Sequence, residues 1–170
     1  LVEACARLRD RGVDFTCTIV GDGPQRDALE RLIAARDLQE IVKLAGGLPQ
    51  EKLRDLWQMA YAFILPCTIT RSGYRQGIPV VLMEAMASGV PVVSTAISGI
   101  PELVEHGVTG LLVPSDDAEA LSQAISHLLA DPELAARLAH AGRQRVEQEY
   151  DVVRNTRNKA HLLGVMSEVA

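Results

Sequence analysis

The chain has 170 residues, 48% hydrophobic and 23% charged, the size and make-up of one folded globular domain and too apolar for intrinsic disorder. Thirteen glycines and eight prolines are too few and too scattered for a collagenous or low-complexity chain. A formal charge of −5 argues against general affinity for nucleic acid or anionic lipid, and no apolar run approaches the ~18 residues of a membrane span.

Leu1, Val2, Cys5 and Leu8 set a helical rhythm that Gly12 stops. Phe15-Thr16-Cys17-Thr18-Ile19-Val20, aromatic and β-branched, predicts a strand, followed by the turn Gly21-Asp22-Gly23-Pro24 and an amphipathic helix from Gln25 to Ala35. The alternation recurs: a strand at Ile41 to Leu44, a helix at Gln50 to Met59, and a strand at Ala62 to Leu65. A loop through Gly73 leads to Pro79, read as the first turn of a helix through Ala87, because proline loses nothing where an amide has no partner. Short strands follow at Pro91 to Ser94 and Gly110 to Val113, with a short helix near Ile100 to Glu105 between them. From Asp116 the chain reads as helical, with breaks near Asp131-Pro132 and Tyr150-Asp151.

Short apolar strands alternating with helices imply an α/β fold, a doubly wound parallel sheet covered on both faces. No repeat and no linker divides the chain. Ligands of such sheets bind beyond the carboxyl ends of the strands, here the loops after Val20, Leu44, Leu65 and Ser94. Cys5, Cys17 and Cys67 are odd in number and lack paired spacing, so they read as reduced thiols of a cytoplasmic protein. His106, His127, His140 and His161 show no metal-ligand spacing, and no metal site is expected. The opening Leu1-Val2-Glu3-Ala4, with neither initiator Met nor leader, reads as the start of an excised piece.

Two segments can carry chemistry. The amides of Gly21 and Gly23 stand where a strand hands over to a helix and can approach an anion, although a plain strand-to-helix turn accounts for them equally. Arg26, at the position of the third glycine of a dinucleotide fingerprint, rules out a nicotinamide site there. The second segment runs from Arg71 to Gly89. Its loop opens directly into a helix, so the amides of Gly77, Ile78, Val80 and Val81 lie near a positive helix end suited to phosphate, and Pro79 removes an amide that would need a partner. Glu84, among Leu82, Met83, Ala85 and Met86, needs a specific partner: a sugar diol is one, a structural salt bridge or backbone bond another. Arg71 and Arg75 read as solvent-facing loop charges.

The run from Gly77 to Thr95, with Ser98-Gly99-Ile100-Pro101-Glu102, Gly107-Val108-Thr109-Gly110-Leu111-Leu112-Val113, Val20-Gly21-Asp22-Gly23-Pro24 and Leu44-Ala45-Gly46-Gly47-Leu48-Pro49, closely resembles the C-terminal domain of family 4 (group 1) glycosyltransferases. The resemblance covers nearly the whole chain. It implies one Rossmann-like domain of a two-domain B-type fold, with residues 1–170 a nucleotide-sugar-binding fragment that lacks the domain's first strand, its diphosphate-gripping Arg and Lys, and the N-terminal acceptor domain. The implied activity is retaining transfer of a hexosyl group from a nucleotide-diphosphate sugar to a saccharide or lipid-linked acceptor, in cell-surface polysaccharide or glycolipid synthesis. No cofactor is implied, and the absent domain would hold the acceptor, at the inner face of the membrane where a peripheral attachment exists. The isolated fragment is expected to be inactive.

By the same resemblance Glu84 binds the ribose hydroxyls, the amides from Gly77 to Val81 meet the donor sugar and diphosphate, and the backbone at Leu48 reads the nucleobase. Gln76 stands where the family usually carries its first glutamate; it keeps hydrogen bonding to a sugar but lacks the charge that stabilises an anomeric cation. Pro66-Cys67 replaces the more usual Pro-Ser, with no function attached to Cys67. Gln76 and the missing strand motivate an alternative, a catalytically degenerate nucleotide-binding or scaffold module. A sugar-nucleotide epimerase or a phosphorylase of related architecture is a further reading; Lys43 on a strand and Lys159 on a late helix disfavour a pyridoxal phosphate site. The edge or gap left by a missing strand is one that a second copy, in a homodimer, would cover.

Overall fold

The computed structural model describes residues 1–69 and 77–162. Thirteen elements follow one another among these residues: α1 (Val2–Asp10), β1 (Cys17–Val20), α2 (Arg26–Ala35), β2 (Val42–Gly46), α3 (Gln50–Met59), β3 (Phe63–Leu65), α4 (Val80–Ala87), β4 (Val92–Thr95), α5 (Ile100–Leu103), β5 (Leu111–Val113), α6 (Ala118–Ala130), α7 (Pro132–Glu149) and α8 (Val152–Leu162). Every strand pair is parallel, and the helices supply the crossovers that parallel pairing requires.

The strands form two sheets rather than one continuous sheet: β1 with β2, and β3, β4 and β5 in that order. α1 joins them. Its Val2, Cys5 and Ala6 pack with Ile33, Leu38 and Val42 over the first sheet, while Ala4 and Leu8 pack with Val93, Leu111 and Val113 over the second. Phe15, just ahead of β1, touches both clusters, and so does Leu1. Ile64 of β3 reaches the second cluster, so β1 and β3, each with an edge unpaired among the described residues, are drawn toward the same helix. Both are only partly covered, whereas all four residues of β4 are buried.

The second sheet shows why its strands read as continuous apolar runs. Val93, Ile64, Leu111 and Val113 face α1, α6 and α7; Val92, Phe63, Leu65 and Leu112 face α3, α4 and α5. The period of two therefore buries both faces. Trp57 of α3 meets Phe63 edge to face, with ring centroids 4.9 Å apart.

The late helices break where the sequence places caps. Asp117 accepts from the Ala120 amide (2.8 Å), Asp131 from Leu134 (2.9 Å) with Pro132 beginning α7, and Asp151 from Arg154 (2.7 Å). Several boundaries shift by one or two residues from the sequence reading, β2 among them, which runs to Gly46 instead of ending at Leu44. Pro79 is the residue before α4, not its first turn, with extended ψ of 124°. β1 begins at Cys17, because Phe15 turns into the cores around α1 instead of pairing. The three cysteines are free. Cys5 and Cys17 lie in one cluster between α1 and β1; the neighbouring Cys17 thiol and burial push the Cys5 thiol up, while Cys5 holds Cys17 down.

Candidate functional site

The carboxyl ends of β1 to β4 are tied to one another in sequence. The loops after β1 and β2 meet first: Gly21 N donates to Gly46 O at 2.8 Å, and Gly47 N donates to Asp22 Oδ2 at 2.7 Å. Both backbones need glycine there, with φ of +129° at Gly21 and +70° at Gly46. An open cleft of about 250 Å³ lies beside the turn after β1, lined by Val20, Gly21, Asp22, Gly23, Gln25 and Arg26 among others. Leu48 follows directly and is half-buried, and Pro49 turns the chain into α3 with an extended ψ of 155°.

Gln50, the first residue of α3, lies with its side-chain amide 3.5 Å from Glu84 Oε1. Glu84 is the fifth residue of α4, and its position follows from how that helix is rotated. Leu82, Ala85 and Met86 are buried in the core, each large side chain contributing about 1.5–3 kcal/mol. That burial turns the face carrying Glu84 and Val80, four residues apart, away from the core. Glu84 is accordingly half-buried and beside Gln50, not enclosed among apolar side chains, and Val80 is 63% exposed. The amides of Val80 and Val81 stand at the positive end of α4, and Gly77 and Ile78 immediately precede it.

The loop after β4 completes the set. A Cβ at Gly99 would lie 3.1 Å from Ile78 Cγ1 and 3.2 Å from Ile78 N, so the two loops are in contact. Buried hydroxyls hold the ends of β3 and β4 in register, with Ser94 Oγ donating to Leu65 O (2.7 Å) and Thr95 Oγ1 to Cys67 O (2.8 Å). Burial pushes the Cys67 thiol up, so it remains protonated near neutral pH.

Gly21, Gly23, Leu48, Gly77, Ile78, Pro79, Val80, Val81 and Glu84 thus lie along one edge of the molecule, on neighbouring loops and helix ends. Gln76, Arg71 and Arg75 lie outside the described residues. Sequence reasoning missed Asp22, Gln50 and Gly99 as the groups that join these loops; the one available signal was a carboxylate set between two glycines at a strand end. The histidines serve elsewhere: His106 Nδ1 accepts from the Leu112 amide at 3.0 Å, and His127, His140 and His161 are exposed. Among the described residues no group of three or more His, Cys, Asp or Glu side chains is placed to hold a metal ion, and no helix is long and apolar enough to cross a membrane.

Comparison with known proteins places this chain in a family. The chain is 43% identical over 150 residues to the amylovoran biosynthesis glycosyltransferase AmsK of Erwinia amylovora, covering 88% of this chain and 37% of that protein. It is 39% identical over 144 residues to a GDP-mannose-dependent alpha-(1-6)-phosphatidylinositol monomannoside mannosyltransferase of Mycolicibacterium smegmatis, covering 84% of this chain and 38% of that one. Its structure superposes on Alr3699/HepE of Anabaena, crystallised in complex with UDP, with a TM-score of 0.84 and 26% identity over 98% of this chain and 44% of that chain. The chain therefore spans less than half the length of each of these relatives. The family model described as "Glycosyl transferases group 1" matches residues 1–145, and the chain belongs to that family.

Proposed function

We infer that this chain is the donor-binding domain of a retaining, nucleotide-sugar-dependent hexosyltransferase that acts in cell-surface polysaccharide or glycolipid synthesis. The observation that carries the reading is the convergence of the α4 N-terminus, Glu84 and the loops after β1, β2 and β4 on one edge, in a chain that belongs to the group 1 family. In this reading the Gly77, Ile78, Val80 and Val81 amides seat the diphosphate and sugar, whose negative charge the helix end favours. Glu84 accepts from the two ribose hydroxyls, with Gln50 beside it orienting the carboxylate. The backbone at Leu48 meets the nucleobase, and the Gly21 to Gly23 turn closes the base end of the site. Gln76 contacts the donor sugar. The donor is itself the substrate, and the reading calls for no separate cofactor.

The division into two sheets supports a further part of the account. One strand entering between β1 and β3 would pair with both edges and complete a single doubly wound sheet. We propose that this strand belongs to the same protein and carries the cations that grip the diphosphate, while an N-terminal domain binds a saccharide or lipid-linked acceptor on the cytoplasmic side of the membrane. Catalysis then rests on holding the sugar in line with its acceptor and on stabilising charge that develops on the leaving diphosphate. Relatives whose names specify GDP-mannose and UDP agree with a nucleotide donor and leave the base open.

The test uses the whole protein with a panel of UDP- and GDP-sugars and saccharide acceptors, the product's anomeric configuration being read by proton NMR. Transfer with the donor configuration kept is the expected result. Inversion contradicts the retaining mechanism, and tight nucleotide binding without transfer favours the degenerate module that Gln76 motivates.

A further inference from the structure

The contact between Asp22 and Gly47 stands out because nothing in the core requires it. The β1–β2 ladder slips between Ile19 and Val20, so that Val20 pairs with Gly46 rather than Ala45. This irregularity brings the loop after β2 alongside the turn after β1. Asp22 Oδ2 then accepts from Gly47 N at 2.7 Å, and Arg26 Nη1 lies 3.2 Å from the other oxygen. The fit is close: a Cβ at Gly47 would stand 3.0 Å from Asp22 Oδ2. Asp22 is 64% exposed, so the interaction contributes little to stability. Its geometric effect is larger. Gly46 is held through its carbonyl by Gly21 N, and Asp22 supplies the anchor for Gly47, the permissive residue immediately before Leu48.

We propose that Asp22 is a positioning residue that holds the backbone at Leu48 in place and thereby sets the nucleobase preference of the donor site. The proposal rests on the donor-site reading above, in which that backbone meets the base. The role assigned to Asp22 is indirect. It acts through the Gly47 amide, and a backbone that reads a base edge must be held to within ~0.5 Å to discriminate. The diphosphate seat at α4 lies on the other sheet's loops and is independent of this anchor.

The whole protein is titrated calorimetrically with UDP, GDP, ADP and inorganic pyrophosphate, as wild type, Asp22→Ala and Asp22→Asn. Asp22→Ala is expected to weaken the preferred nucleoside diphosphate about tenfold, the scale of one charge-assisted hydrogen bond, and to flatten the preference among bases while pyrophosphate binds as before. Asp22→Asn, which keeps an oxygen acceptor for Gly47 N, restores the preference. Hydrogen exchange at the Gly47 amide accelerates in Asp22→Ala and returns to the wild-type rate in Asp22→Asn. An unchanged base preference in Asp22→Ala, or an equal loss for pyrophosphate and all three nucleotides, overturns the positioning role and leaves the donor site standing. A wild type that binds none of the three nucleotides overturns the donor site and this proposal with it.

Discussion

Gly99 stands against Ile78 with room for a hydrogen and nothing larger: a Cβ there would lie 3.1 Å from Ile78 Cγ1 and 3.2 Å from Ile78 N. Its φ of −82° is open to any residue, so the requirement is purely steric. Gly99→Ala must push the loop ahead of α4 by a few tenths of an ångström, displacing the amides proposed to seat the diphosphate. The expected result is a loss of about tenfold in kcat/KM for the nucleotide sugar, since small misplacements at a reacting centre are amplified. Steady-state kinetics beside a melting curve separate this from a loss of fold.

Glu84 makes a different prediction, because its carboxylate is assigned to the ribose hydroxyls. Removing hydrogen bonds to a charged group costs about 1.5–3 kcal/mol, so Glu84→Ala is expected to weaken nucleoside diphosphate binding by about 10–150-fold. A 2′,3′-dideoxynucleoside diphosphate lacks both hydroxyls and is expected to bind wild type and variant alike. Calorimetry with the two ligands checks it; equal losses for both would assign Glu84 a structural role.

The packing of the second sheet is open to a stability test at Gly110. A Cβ there would sit 2.7 Å from side-chain methyls of Val104 and Val92 and 2.9 Å from Val92 O, in a buried site. Overpacking of this kind costs about 1–3 kcal/mol. Gly110→Ala is therefore expected to lower the urea midpoint and, at about 2–4 °C per kcal/mol, the melting temperature.

The attachment of α1 to α6 carries a pH signature. The Glu119 carboxyl is held below its ordinary value by the Gln123 amide and by Arg11 and Arg7. A depressed carboxylate contributes stability above the unfolded-state pKa, and that contribution disappears as pH falls through the folded value. Glu119→Gln is expected to be less stable than wild type at neutral pH and to match it in strong acid. Urea titrations at about pH 7 and about pH 3 bracket the unfolded glutamate value near 4.3.

Much of this architecture was legible in the residues themselves. The short apolar runs at Ala62 to Leu65 and Pro91 to Ser94 read as strands of a parallel sheet, and the helical stretch from Asp116 with breaks near Asp131-Pro132 and Tyr150-Asp151 matches the last three helices to within a residue or two. The division into two sheets was not legible in any strand's own pattern, because pairing depends on which segments enter the fold; only the family resemblance implied an edge or gap there. The candidate site could be read from the sequence where the proposed chemistry is local, at Glu84 and the amides around Pro79. Asp22, Gln50 and Gly99 act across 25, 34 and 21 residues of sequence respectively, toward Gly47, Glu84 and Ile78, and no spacing rule reports contacts of that kind.

The central claim is that a nucleotide donor sits over the carboxyl ends of these strands, and hydrogen–deuterium exchange of the whole protein with and without bound nucleoside diphosphate tests it most directly. The account predicts protection in the segments Gly46 to Pro49 and Gly77 to Glu84, with none on the outward faces of α6 and α7. Saturating nucleotide that leaves both segments unprotected would contradict it.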